Sequence, residues 1–275
     1  MPPSTGPPSQ YSGRIGSGGR LVSAAVLFPL DDYDLAGFSA IAATFGCESF
    51  GYVVTPNVDH LIRYYDDAQF RALYEDAAYV LLDSRFLARW LAIARGQHVR
   101  VCPGSDLTLQ LMSSTVSPED RIVVVGAEAA QAHRLSQQFN LRQLIHIDPP
   151  MGFINDTSEL ERCLQQIEAV SPFRYCFLAI GSPQQEVLAR HLKARHRARG
   201  LALCIGASIN FLTGAERRAP RWMQRLALEW LFRLMQDPGR LGRRYLVRGP
   251  RIFQILPKIR IGLRKSITHP AVGNR

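Results

Sequence analysis

The chain has 275 residues, of which 47% are hydrophobic, and its formal net charge is +10 at pH 7. From Arg217 onward there are 15 Lys and Arg residues but only two acidic ones, Glu229 and Asp237, so the preceding residues carry a net negative charge. No apolar stretch reaches the roughly 20 residues that span a bilayer, no secretion signal is recognisable, and the five cysteines show no CxxC spacing. We therefore expect a cytoplasmic protein with reduced thiols, whose basic end meets an anionic partner.

The first twenty residues are rich in Pro, Gly and Ser, which predicts a disordered leader at 1–20. Beyond the leader, short β-rich runs alternate with helical patterns, as is typical of a mainly parallel sheet flanked by helices. We predict a Rossmann-like α/β core at 21–215, in two coupled halves with a break near 118, and then a basic helical appendage at 216–275. The predicted strands are 51–54, 79–82, 99–101, 121–125, 143–147, 174–180 and 201–206, and the predicted helices are 57–72, 84–95, 106–114, 128–139, 157–169, 184–198 and 220–235.

Polar residues follow the first predicted strands. Thr55-Pro56-Asn57 comes after strand 51–54, where Asn57 is either an ordinary helix cap or a ligand-binding side chain. Asp83 ends strand 79–82, at the edge where open α/β sheets bind ligands, and partial burial there would raise its pKa toward that of a useful base. Gly104 and Asp106 open the helix after strand 99–101, and Asp106 is again either a cap or a substrate ligand.

Glycines follow two strands of the second half. Gly126 ends strand 121–125 before a helix, which fits either a phosphate-binding turn or a simple tight turn, because a complete GxGxxG is absent. Gly181 follows strand 174–180 in the same way, and Pro183 begins a helix whose first turn offers free N–H groups. Gln185 and Glu186 would place polar side chains at the same edge of the sheet. A capped helix without ligand-binding function would have a similar sequence.

The basic segment begins with one predicted amphipathic helix at 220–235. Its i,i+4 row of Trp and Leu residues forms an apolar stripe, while Arg218, Arg221 and Arg225 lie on a second face. These three are the first candidates for binding a diphosphate through bidentate contacts, and Arg240, Arg243 and Arg244 are the next. The alternative for each is a fully solvated arginine.

The chain from 252 to 265 interleaves Ile, Leu and Phe with Arg and Lys, a composition suited to an anionic membrane surface. The alternative is a tail that packs against the body of the protein or against a partner subunit.

The long motifs together resemble one known family. The run from Gly206 to Leu246, GASINFLTGAERRAPRWMQRLALEWLFRLMQDPGRLGRRYL, is preceded by Gly-Ser-Pro-Gln-Gln-Glu at 181–186 and Thr-Pro-Asn at 55–57. In this order and placement they closely resemble the WecB/TagA/CpsF glycosyltransferase family over roughly residues 20 to 250. The resemblance implies an enzyme that transfers a sugar from a UDP-sugar donor to a polyprenyl-diphosphate-linked saccharide at the cytoplasmic membrane, in cell-surface polysaccharide synthesis.

The resemblance also implies roles for residues. Asp83 stands at the position of the family's proposed catalytic Asp, and Thr55 and Asn57 at positions that line the active-site cleft. Gln185 and Glu186 carry over as sugar-nucleotide contacts. The pair Gly104 and Asp106 matches the family's Gly-x-Asp.

The sequence departs from the family where Asp83 is followed by Ser84 and Arg85, since many members have Asp-Gly there. This motivates an alternative, a catalytically weakened, membrane-associated scaffold of a polysaccharide-assembly complex. A nucleic-acid-binding protein is a further alternative, but no nucleic-acid-binding motif accompanies the basic tail. No DxD-like motif sits at a strand end, so we expect no metal cofactor. A homo-oligomer is possible, and the donor sugar is not specified by the sequence.

Overall fold

The computed structural model describes residues 26–264. The predicted leader at 1–20 and the last predicted tail residues, from Lys265 onward, lie outside the described residues. Eight strands are present in the described part: β1 Val26–Leu30, β2 Phe50–Val54, β3 Tyr79–Val80, β4 Arg121–Val125, β5 Gln143–Ile147, β6 Tyr175–Leu178, β7 Gly200–Cys204 and β8 Ile259–Leu263.

Thirteen α-helices connect these strands within the described residues. They are α1 Leu35–Thr44, α2 Val58–Asp66, α3 Ala68–Glu75, α4 Arg85–Arg95, α5 Gly104–Ser114, α6 Ala129–Phe139, α7 Thr157–Ala169, α8 Gln184–Arg195, α9 Ser208–Leu212, α10 Arg221–Arg225, α11 Glu229–Gln236, α12 Pro238–Gly242 and α13 Ile252–Ile255. A π-helical turn at Arg243–Arg248 and 3-10 turns at Gly249–Arg251 and Leu256–Lys258 complete the C-terminal part.

The core is one parallel sheet with apolar layers on both faces. Its strand order is β3-β2-β7-β6-β4-β5, and every pairing is parallel. Strands β2, β6 and β7 are buried along their whole length. Their sequences are therefore continuous apolar runs and do not alternate between apolar and polar residues. The predicted α/β class is confirmed. The proposed boundary near 118 falls between α5 and β4, but strands from both sides of it share this sheet, and the two-halves division stays a prediction.

Several predicted elements differ from the structure. Residues 99–101 form no strand, because the Arg100 N–H donates to the Asp32 side chain at 2.8 Å and the neighbouring backbone bond, from Cys102 N to Leu82 O, does not continue into a ladder. The predicted helix 57–72 is two helices, divided where Asp67 adopts an extended conformation and caps α3. Strand β1 and helix α1 were not predicted. The five cysteines are unpaired, as expected.

The predicted helix 220–235 is also two helices. Ala227 has φ +61°, a left-handed conformation that no continuous α-helix contains, and the chain changes direction between α10 and α11. The i,i+4 face drawn through this region is therefore wrong beyond Leu226.

The C-terminal tail packs against the body over its described part, as the alternative for 252–265 expects, and membrane binding by this tail stays a prediction. Ile252, Ile255, Leu256 and Ile259 are at most 3% exposed. The expected helical appendage is helical only to Lys258, after which β8 pairs in parallel with β1. Four of the apolar residues interleaved with arginine and lysine are therefore buried in the protein core, while Phe253 and Leu263 are exposed.

Arg264 fastens this tail. Its Nε lies 3.1 Å from both carboxylate oxygens of Asp31, and its guanidinium also donates to the carbonyls of Ala77 (2.9 Å) and Ala78 (3.0 Å). Asp31 is 4% exposed and also accepts the Val80 N–H at 2.7 Å. One guanidinium therefore ties the end of β8 to β1 and to the edge strand β3.

We expect Arg264→Met to lower the free energy of unfolding by about 3 kcal/mol, since it leaves the Asp31 carboxylate buried without its cation. Urea denaturation followed by circular dichroism measures this. Arg260→Met removes an exposed cation from the same strand and should cost less than about 0.5 kcal/mol. Equal losses in the two variants would contradict the anchoring role.

Candidate active site

A cleft of about 580 Å³ lies at the carboxyl ends of the four neighbouring strands β3, β2, β7 and β6. Its floor is formed by the residues that follow these strands, and its opposite wall by residues 224–253. Six of the predicted site residues line it: Thr55, Asn57, Asp83, Gly104, Gly181 and Gln185. They come together because parallel strands end at the same edge of the sheet.

Asp83 is the carboxylate at the floor of the cleft. Its Oδ1 accepts the Gly104 N–H at 3.0 Å, from the first turn of α5, and its own N–H donates to Pro56 O at 3.0 Å. Burial, followed by the charge of Glu229, raises the pKa of Asp83 to about 7, against the opposing effects of the Gly104 N–H and Arg233. A carboxylate with this pKa can both accept and release a proton near neutral pH.

Thr55 and Gly104 pack closely beside Asp83. Thr55 Oγ1 donates to Cys204 O at 3.0 Å, which joins the ends of β2 and β7. A Cβ on Gly104 would stand 2.9 Å from Thr55 Oγ1. Glycine therefore lets the N-terminus of α5 approach near enough to hold the Asp83 carboxylate.

Asn57 caps α2, which confirms that interpretation, and it also lines the cleft, where its ligand-binding role stays a prediction. Its Oδ1 accepts the Asp59 N–H at 3.0 Å and lies 2.9 Å from His60 Nδ1. The other ring nitrogen, Nε2, lies 3.4 Å from Glu186 Oε1. His60, which also lines the cleft, was not a predicted site residue.

Glu186 lies beneath the cleft and is fully buried. Burial opposes its ionisation, but the hydrogen bond and charge of His60 and the Gln185 amide, which donates at 2.8 Å, outweigh burial and lower its pKa. Gln185 Oε1 in turn accepts the Gly206 N–H at 2.9 Å. The Gln-Glu pair thus orders the loops after β6 and β7, and Gln185 alone of the two lines the cleft.

Gly126 and Pro183 lie apart from the cleft lining. Gly126 follows β4, the strand beyond the four whose ends form the cleft. It has φ +80°, and a Cβ there would stand 2.6 Å from Ile180 Cγ2, so it serves a tight turn packed against the chain after β6. Pro183 caps α8, and its neighbours Gly181 and Ser182 provide the cleft surface.

None of the three first-choice arginines lines the cleft. Arg221 and Arg225 are exposed, and Arg218 forms an ion pair with Asp106, which likewise stays outside the lining. The break at Ala227 separates the two helices: Glu229, Trp230 and Arg233 of α11 line the cleft, whereas Arg221 and Arg225 of α10 are exposed.

Two other arginines of the same segment do line the cleft. Arg233 lies 3.7 Å from Glu216 and over the Phe211 ring, and Arg244, a second-choice candidate, lies 3.7 Å from Asp59 Oδ2. The Nε atoms of both are buried without a hydrogen-bond partner among the described residues. Arg233 lies two i,i+4 steps after Arg225, and this spacing is visible in the sequence. The break at Ala227, which separates the two arginines, is not.

Ser84 and Arg85, the departure from the family pattern, have defined roles. Ser84 caps α4 by accepting the Leu87 N–H at 3.2 Å. The Arg85 guanidinium lies 3.0 Å from the Asp106 carboxylate and 3.9 Å from the Glu229 carboxylate. The donor to the Asp83 carboxylate is the Gly104 N–H.

Comparison with known protein families matches residues 26–266 to the Glycosyl transferase WecG/TagA/CpsF family. The chain belongs to this family. The matched residues include the sheet, the cleft and the arginine-rich residues 217–251, called here the arginine segment. Family membership supports a glycosyltransferase of cell-surface polysaccharide biosynthesis. Within residues 26–264, no helix is both long and apolar enough to cross a membrane, and no three metal-ligating side chains are grouped to hold an ion.

Proposed function

We propose that this glycosyltransferase inverts the anomeric centre while it moves a sugar from a UDP-sugar to a polyprenyl-diphosphate-linked saccharide. The observation that carries the proposal is the Asp83 carboxylate, held by the Gly104 N–H at the cleft floor with a pKa of about 7. In an inverting transfer, the acceptor hydroxyl attacks the anomeric carbon once, from the face opposite the leaving UDP. This single displacement needs one base, and Asp83 supplies it.

The proposed reaction is one displacement. Asp83 takes the proton of the acceptor hydroxyl as its oxygen attacks the anomeric carbon, and the bond from that carbon to the UDP oxygen breaks. The electron pair of that bond leaves with UDP. Asp83 then releases its proton to water.

Cations in the opposite wall would stabilise the departing diphosphate. Arg233 and Arg244 line the cleft with unpartnered Nε donors, so they replace the residues chosen from sequence, Arg218, Arg221 and Arg225. Gly181 and Ser182, at the N-terminus of α8, offer the backbone edge that suits a phosphate. These groups could supply the counter-charge without a divalent ion.

We further propose that the enzyme is cytoplasmic and binds the inner face of the membrane peripherally, through the arginine segment rather than the tail. Exposed apolar side chains there alternate with exposed arginines next to the cleft, an arrangement suited to an anionic lipid surface. The exposed apolar residues of this segment are Trp222, Leu226, Met235, Leu246 and Val247. Family membership favours the enzyme over the scaffold and nucleic-acid alternatives, and homo-oligomerisation stays a prediction.

Asp83→Asn should reduce transfer by about 10²- to 10⁴-fold, because the amide cannot accept the proton. The amide oxygen can still accept the Gly104 N–H, so the fold and UDP binding should persist. UDP release measures the first effect and thermal shift the second. Asp148→Asn, at an exposed carboxylate that directly follows β5, is the matched control and should keep full activity. Turnover by Asp83→Asn within a few fold of wild type would remove Asp83 as the base.

The pH dependence of transfer should show the ionisation of Asp83. The base acts only when ionised, so kcat/KM should fall about tenfold per pH unit below a pKa of about 7 and level off above it. Initial rates from pH 5 to 9 measure this acid limb. A rate that stays constant down to pH 5 would contradict the assignment.

Transfer should continue in EDTA, because arginines supply the counter-charge to the diphosphate. UDP release with and without chelator is the measurement, and Arg233→Met should lower the rate under both conditions. Activity that disappears in EDTA and returns with Mg²⁺ or Mn²⁺ would overturn metal independence.

A further inference from the structure

Arg85 joins the core of the protein to the arginine segment beside the catalytic cleft. Its Nη2 lies 3.0 Å from Asp106 Oδ2, in the first turn of α5, and its Nη1 lies 3.9 Å from Glu229 Oε2, in the first turn of α11. Asp106 also receives Arg218 from the arginine segment. Two carboxylates and two guanidinium groups thus alternate across the side of the cleft.

This network lies next to the proposed base, since Arg85 and Glu229 line the same cleft as Asp83. The charged and titratable groups that influence Asp83 are Glu229 and Arg233 from α11, Asp106 from α5, and the buried Cys102 thiol just before α5. Both of the carboxylates in this set are the partners of Arg85. Their side chains are 31% and 19% exposed, so water screens them only partly.

We infer that Arg85 is a positioning residue that acts on Asp83 through Glu229 and Asp106: it offsets their negative charge and thereby sets the strength of the base. The inference rests on the proposed function of Asp83. It gives the departure from the family's Asp-Gly pattern a physical role. Arg85 makes no contact with Asp83 among the described residues, so its effect on the base passes through the two carboxylates.

The alternatives predict different effects of substitution. An arginine that bound substrate directly would change KM for the donor or acceptor and leave the acid limb in place. A purely structural arginine would change thermal stability and again leave the acid limb in place. An arginine that acts on the base through these carboxylates must move the acid limb to higher pH when it is removed, because each carboxylate left without its cation disfavours ionisation of Asp83.

The experiment compares the acid limb of kcat/KM in wild type and four variants. Arg85→Met should move the limb to higher pH by roughly half a unit to one unit, because the negative charges near Asp83 lose their cation. Glu229→Gln should move it to lower pH by a similar amount, and the double variant Arg85→Met with Glu229→Gln should return close to wild type. Arg89→Met, one turn along α4, removes a cation whose described partner is the Arg225 carbonyl and should leave the limb in place.

A limb that stays in place or moves to lower pH in Arg85→Met overturns the inference, as does an equal shift in Arg89→Met. If Arg85→Met does not fold, Arg85→Gln replaces it, since its amide can still donate to Asp106, and the same upward shift is required. Failure of the proposed function gives a different result: the wild-type limb itself would be absent or would persist in Asp83→Asn.

Discussion

The parallel pairing of β8 with β1 is the constraint on which the site depends. Between the end of β7 and Ile259 the chain adds no strand to the described sheets, and residues 224–253 of this stretch form the second wall of the cleft. Arg264 locks β8 in place through the buried Asp31 carboxylate. A wall that is fixed at both ends can present arginines at defined positions. A wall fixed at one end would have a higher conformational entropy, and its arginines would occupy many positions.

Within this wall, the break at Ala227 decides which cations reach the cleft. A continuous helix would place Arg221, Arg225 and Arg233 on related faces, but the left-handed residue turns α11 relative to α10. Arg233 then enters the cleft while Arg221 and Arg225 stay exposed. The arginine segment therefore has two surfaces, one facing the site and one facing outward among exposed apolar side chains.

Asp83 shows how one carboxylate is adjusted to the requirements of a base. Burial and Glu229 favour its protonated form, and the Gly104 N–H and Arg233 favour its ionised form. The balance leaves its pKa near neutrality, where the ionised fraction and the affinity for a proton are both substantial. Glu186, which is buried more deeply, has a lowered pKa because His60 and Gln185 donate to it, so burial by itself does not decide the protonation state.

Sequence patterns predicted the parallel sheet, the positions of most strands along the chain and the polar residues at their ends. These features are local: an apolar run predicts a buried strand, and the residue after it lies at the carboxyl edge wherever that strand is placed. Thr55, Asn57, Asp83, Gly104, Gly181 and Gln185 were found in this way and do share one cleft. The family resemblance added their roles, which the periodicity could not supply.

What the sequence by itself determined is the set of strand-end side chains, because their positions follow from the chain's own alternation of apolar and polar residues. What only the tertiary structure decided is which partners face them. Gly126 lies outside the cleft because its strand is one place too far along the sheet. The tail is a strand because β1 offered it an edge, and Arg233 rather than Arg225 enters the site because one alanine is left-handed. Each of these outcomes depends on contacts between residues far apart in the chain, and no local pattern specifies such contacts.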